Sequence, residues 1–164
     1  MTRRAFDPGQ CPIGRTLEHV GDTWSLMILR DALQGLSKFD QFQKSLGVAP
    51  NVLTQRLAAL VEAGFLERRP YQERPVRHEY LLTDLGRDFS PVLTTLMVFG
   101  NRHYATEGVA SQMVEAATGV PAEPVLVDRR TGKPMDSPDF VYAAGPAADS
   151  VVLERVAQVA RGRR

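Results

Sequence analysis

Between Val48 and Thr83 the chain reads VAPNVLTQRLAALVEAGFLERRPYQERPVRHEYLLT, and its apolar period changes halfway. Leu53, Leu57, Leu60 and Val61 recur at i, i+4, i+7 and i+8, the stripe of an amphipathic helix with one face toward a core. Pro50 opens that helix at the first position, where a missing N–H costs nothing, and Gly64 ends it. From Phe65 the pattern becomes that of strands: FLERRPY, a tip at QERP, and a return through VRHEYLLT. Two such runs around a proline-bearing tip predict a β-hairpin.

Upstream, apolar positions Leu17 and Val20 predict a short helix over Ile13–Val20, ended by Gly21. Asp22 or Thr23 caps a second helix, in which Trp24, Met27, Ile28 and Leu29 with Ala32 form the wide apolar face of a central core element. Gly35 closes it. Ser37 is placed to cap a third helix that buries Phe39, Phe42 and Leu46. Gly47 and a short turn then lead into the Pro50 helix, a helix-turn-helix arrangement. The hairpin that follows is a wing.

Beyond the wing, Thr83 caps a long helix carrying Leu85, Phe89, Val92, Leu93, Leu96, Met97 and Phe99, with a kink or break near Ser90 because of Pro91. These apolar positions span more than one face, so part of them should bury against a partner. From residue 107 the composition shifts toward Pro, Gly, Ala and Val. EPVLVDRRTGKPM predicts a hairpin around Thr131–Gly132, GPAAD a linker, and SVVLERVAQVARGRR a last helix with a basic end. No internal repeat is evident. The fold class is α+β: a winged helix-turn-helix domain over 1–106 with flanking dimerisation helices, and a hairpin-plus-helix extension over 107–164 of unassigned role.

Charge sharpens this picture. The 164 residues carry a formal net charge of +1. Ser37 to His78 holds seven Lys/Arg against four acids, a net of +3, which leaves −2 on the remainder. Positive charge is thus concentrated where phosphates would be met. Asn51, Thr54, Gln55 and Arg56, near the N-terminal end of the Pro50 helix, are residue types that read base edges. They equally suit the solvated face that any amphipathic helix has. Lys44, Arg68, Arg69, Arg74 and Arg77 are candidates for wing and backbone contacts. Double-stranded DNA is the partner expected.

Other chemistry finds little support. His19, His78 and His103 lack partners at metal-ligand spacing. No phosphate loop or nucleophile elbow occurs, so neither a cofactor nor an enzymatic activity is expected. A winged helix used for protein contacts, with the extension as the functional part, is the alternative. The opening MTRRAFDPGQ has no apolar run behind its arginines, and no segment approaches the roughly 20 apolar residues of a membrane span. With one cysteine and no possible intramolecular disulfide, a cytoplasmic setting is expected.

From Cys11 to about His103 the chain resembles the HxlR-type winged helix-turn-helix transcriptional regulators. The Cys-Pro opening, Gly-Asp-x-Trp at Gly21–Trp24, Phe-x-x-Phe at Phe39–Phe42, Leu-Thr-x-Arg-Leu at Leu53–Leu57 and Tyr-x-Leu-Thr-x-x-Gly at Tyr80–Gly86 carry the resemblance. It implies a bacterial DNA-binding homodimer formed through the N-terminal region and the long helix after the wing. Some members of that family sense oxidants or electrophiles through a cysteine ahead of the first helix, the place of Cys11. A helix N-terminus favours a thiolate, and Arg15 lies one turn on. A half-buried cysteine packed at a dimer interface is the other reading. An oxidant or a small-molecule effector is therefore a candidate partner.

Overall fold

The computed structural model describes residues 9–162. Pro8 and the last two arginines of the basic terminus, Arg163 and Arg164, lie outside the described residues. Four helices come first: α1 (Pro12–Val20), α2 (Thr23–Leu33), α3 (Phe39–Leu46) and α4 (Pro50–Glu62). The hairpin β1 (Leu66–Glu73) and β2 (Val76–Leu82) follows, then α5 (Asp84–Asp88), α6 (Ser90–Tyr104) and α7 (Ser150–Gly162).

The core sits where α2, α3 and α4 meet the base of the hairpin. Ile28, Leu29, Phe42, Leu53, Leu57 and Leu60 have no exposed surface, and Val20 and Leu66 are nearly as buried. Each such side chain contributes about 1.5–3 kcal/mol by leaving water. Helix α2 is the hub and touches α1, α3, α4, α6 and β2. Its N-terminus is capped by Asp22, whose Oδ1 accepts from the Ser25 N–H at 3.1 Å. Asp31, buried near its other end, accepts from Arg30 Nε at 2.9 Å and Nη2 at 2.6 Å on a single oxygen.

The third helix differs from expectation at its start. Lys38, not Ser37, holds the cap position, and Gln41 Oε1 reaches back to accept from the Ser37 and Lys38 N–H groups at 3.1 and 2.9 Å. Ser37 ties the wing down instead: its carbonyl accepts from the Tyr80 N–H at 2.7 Å, beside a bridge between Lys38 and Glu79. The hairpin is antiparallel, pairing Leu66 with Leu82 and Arg69 with Glu79. Its register shifts between Pro70 and Gln72, leaving Tyr71 as the extra residue of a bulge. The tip turns at Arg74–Pro75, a cis peptide bond.

Thr83 secures the exit from the wing. Its hydroxyl donates to the Gly64 carbonyl at 2.5 Å and accepts from the Gly86 N–H at 3.1 Å, tying the end of α4 to the start of α5. The kink or break expected near Ser90 falls at Phe89, between α5 and α6. No residue of α6 is fully buried. Val92, Leu96 and Phe99 on α6, and Ile13 and Leu17 on α1, are 45–66% exposed.

After α6 the chain makes no strand among the described residues. The hairpin expected around Thr131–Gly132 is a single closed turn, bridged by Val127 and Pro134. A second turn, bridged by Val114 and Pro121, has the same design. In each, an acid accepts from a threonine hydroxyl (Thr118 to Glu115, Thr131 to Asp128), and a glycine at φ 71° or 70° donates back at 2.8 Å. The sequences align when displaced by thirteen residues, VEAATGVP on VDRRTGKP, so a short repeat exists that apolar periodicity does not show. Among the described residues, no helix is long and apolar enough to cross a membrane.

Gly86 offers a stringent test of the wing junction. A Cβ there would lie 2.2 Å from the Phe65 carbonyl oxygen and 2.9 Å from Leu82 Cδ2. Gly86→Ala is expected to destabilise the protein by about 2 kcal/mol or more, read as a lowered urea midpoint with an unchanged slope.

Candidate nucleic-acid interface

Helix α4 presents two unlike faces because its leucines are spent on one of them. With Leu53, Leu57 and Leu60 in the core, Asn51, Thr54, Gln55 and Ala58 are left exposed on the other. The Asn51 and Gln55 amides have no hydrogen-bond partner among the described residues. The Thr54 hydroxyl donates to the Pro50 carbonyl at 2.8 Å, so this residue presents its methyl group as much as its oxygen. Ala58 continues the exposed face by one turn and carries no polar signal that sequence reading could pick up.

Arg56 is placed differently from its neighbours. It is half-buried, and its Nε lies 3.2 Å from Asp22 Oδ1, the oxygen that also caps α2. The Nε itself is buried, and the pair lacks hydrogen-bond geometry. The contact is an electrostatic tie between the start of α2 and the middle of α4. Such a half-exposed pair is worth at most about 1 kcal/mol.

The cations of the wing divide into two groups. Arg68 Nη2 lies 2.9 Å from His78 Nδ1, and Arg69 Nη2 is 2.5 Å from Glu67 Oε1. By contrast, Arg74 and Arg77 at the tip, and Lys44 on the last turn of α3, are exposed and form no ion pair among the described residues. Lys38 sits over the Tyr71 ring at 4.7 Å, a pairing that depends on the bulge and that the sequence pattern does not announce.

Cys11 occupies the N-cap of α1, its sulfur accepting from the Gly14 N–H at 3.4 Å. That backbone bond, chiefly, holds its thiol below the ordinary cysteine range, with Arg155 of α7 assisting. Arg15, named as the helper from sequence, is turned away: its Nε donates to the Gly9 carbonyl at 2.9 Å. The histidines stay apart. His103 lies against Phe99 with ring centroids 4.6 Å apart and the planes inclined by 46°, and no cluster of potential metal ligands forms among the described residues.

Residues 19–108 match the HxlR-like helix-turn-helix family. The chain belongs to that family. An uncharacterised HTH-type transcriptional regulator of Mycobacterium tuberculosis is 36% identical over 135 residues, covering 82% of this chain and 85% of its own. A solved structure described as a candidate transcription factor of Pseudomonas aeruginosa is 48% identical. It covers 88% of this chain and 99% of its own, with a TM-score of 0.63. The redox regulator HypR in its oxidised form is 26% identical with a TM-score of 0.54, covering 58% of this chain and 100% of its own. This HxlR-like protein is thus a transcriptional regulator of helix-turn-helix type. Its similarity to the Mycobacterium and Pseudomonas proteins runs past the segment that defines the family.

The Asp22–Arg56 tie predicts a separation of effects along α4. Arg56→Ala and Asp22→Ala should each lower stability, by less in combination than the sum of the two, with a coupling of about 0.5–1 kcal/mol. Gln55→Ala should leave the unfolding midpoint unchanged. A double-mutant cycle in urea measures both; additive losses would remove the tie.

Proposed function

We infer that this regulator binds a pseudo-palindromic DNA operator as a homodimer, with α4 in the major groove and the wing along the backbone. The observation that carries this reading is a polar face, Asn51, Thr54 and Gln55, held outward by buried leucines and flanked by Arg74, Arg77 and Lys44, cations without an ion pair among the described residues. Amides of Asn and Gln pair bidentately with adenine, and a threonine methyl packs on thymine. Arg56, held loosely to Asp22 through its Nε, keeps a partly exposed side chain that would meet DNA from the edge of this face. Arg68 and Arg69, already engaged by His78 and Glu67, add less to phosphate binding than the tip arginines.

The dimer follows from uncovered apolar surface. Val92, Leu96 and Phe99 on α6 and Ile13 and Leu17 on α1 form too much exposed hydrocarbon for a lone domain. A two-fold partner covering them would set two recognition helices against two half-sites, about 34 Å apart. Residues 1–106 would then act as the DNA-binding and dimerisation unit, with 107–164 appended to it. A thiol biased toward the thiolate at the head of α1 supports a response of this unit to oxidant or electrophile, as does the likeness to HypR.

Two measurements test this. In mobility shifts on the DNA flanking its own gene, Gln55→Ala or Asn51→Ala should cost about 1–3 kcal/mol and relax preference at one or two positions. Arg74→Ala should weaken all sequences alike and flatten the salt dependence. A Gln55→Ala protein with unaltered base preference would mean that another face of α4 enters the groove. Separately, light scattering should give a dimer at micromolar concentration, and Leu96→Glu should give a folded monomer with weakened operator binding. A wild-type monomer would refute the proposed assembly.

A further inference from the structure

The two ends of the described chain meet. The Asp149 N–H donates to Gln10 Oε1 at 2.8 Å, seating the start of α7 against the segment ahead of α1. Between them lies a cavity of about 600 Å³, within the size range of small-molecule sites. Its apolar wall comes from Ile13 on one side and Val152, Val156 and Val159 on the other. Among the described residues Tyr142 is the one aromatic on its walls, and the rest of the apolar lining is aliphatic or small, with alanines and prolines beside the valines.

The charge on its walls is of one sign. Arg15 and Arg155 line it and, among the described residues, no aspartate or glutamate does. Arg15 is engaged with the Gly9 carbonyl, and Arg155 makes no ion pair with a carboxylate among the described residues. The group beside Arg155 is the Cys11 thiol. A guanidinium at the rim of an aliphatic cavity, with only a weakly acidic partner, is a fork for a carboxylate whose tail the cavity can take.

We propose that the cavity between α1 and α7 binds an aliphatic carboxylate, its head on Arg155 and its tail against Ile13, Val152, Val156 and Val159. The proposal deepens the reading of this chain as an effector-responsive regulator and rests on it for its consequence. The ligand would cover Ile13, one of the side chains assigned to the dimer, and brace the helix that carries the other, Leu17. It would also take Arg155 away from Cys11, so that occupancy and thiol reactivity oppose each other. The segment after α6 thereby acquires a role: it supplies the cation and most of the apolar wall.

The test uses the full chain with octanoate and its uncharged counterpart octanamide as probes, followed by calorimetry. Octanoate should bind at least tenfold more tightly than octanamide. Arg155→Gln should remove that difference while leaving octanamide binding unchanged, and Arg155→Lys should restore part of it. Saturating octanoate should slow alkylation of Cys11 by iodoacetamide. Equal affinities for the two probes, or an Arg155→Gln protein that still prefers the acid, would overturn the site. An alkylation rate indifferent to octanoate would overturn its sharing of Arg155 with Cys11. Octanoate bound as described, with no change in mobility shift on the gene's flanking DNA, would uphold the site and sink its link to regulation. A ligand-free protein that fails to shift any such DNA would sink the DNA-binding reading and leave the site standing.

Discussion

Three leucines on one side of a thirteen-residue helix govern the rest of this molecule. Leu53, Leu57 and Leu60 are wholly buried, and turning α4 by a third of a revolution would expose them at a cost of several kcal/mol. That constraint, rather than any polar contact, decides which residues face outward and hence which can touch a base. Phe42, Ile28 and Leu29 close the same core from α3 and α2, so the two helices of the helix-turn-helix share one hydrophobic anchor. The wing joins it through Leu66 and is clamped at its other strand by Thr83.

Against this well-buried centre, α1 and α6 are anomalous. They are regular helices, yet Ile13 and Leu17 on one and Val92, Leu96 and Phe99 on the other stand about half exposed or more. Exposed apolar surface of this kind is what interaction sites present. Among the described residues the segment after α6 has none that is buried; it consists of closed local turns and a helix that returns to the N-terminal segment.

The sequence made the main elements legible because apolar spacing reports the core directly. The stripe from Leu53 to Val61, the glycine stops and the proline at the head of α4 place that helix almost to the residue, and Pro91 marks the break before α6. What it concealed depends on where side chains point once packed. Arg56 has the composition of a base reader, but its Cα lies at the edge of the buried face, within reach of Asp22. Ser37 has the composition of a cap, yet Gln41 serves that end and the Ser37 backbone serves the wing. Arg155 is more than a hundred residues from Cys11, a distance no local pattern bridges. The paired turns escaped because their likeness lies in acid, threonine and glycine, which a hydrophobic template does not weigh.

Those paired turns also show how this part of the chain holds a shape with no buried residue among those described. Each closes on itself: the bridge, the acid–threonine bond and the glycine bond all fall within eight residues. Because each of these bonds lies inside its own turn, a turn keeps its shape without a core beneath it, and the return of the chain to its N-terminal segment is left to the Asp149–Gln10 bond at the head of α7.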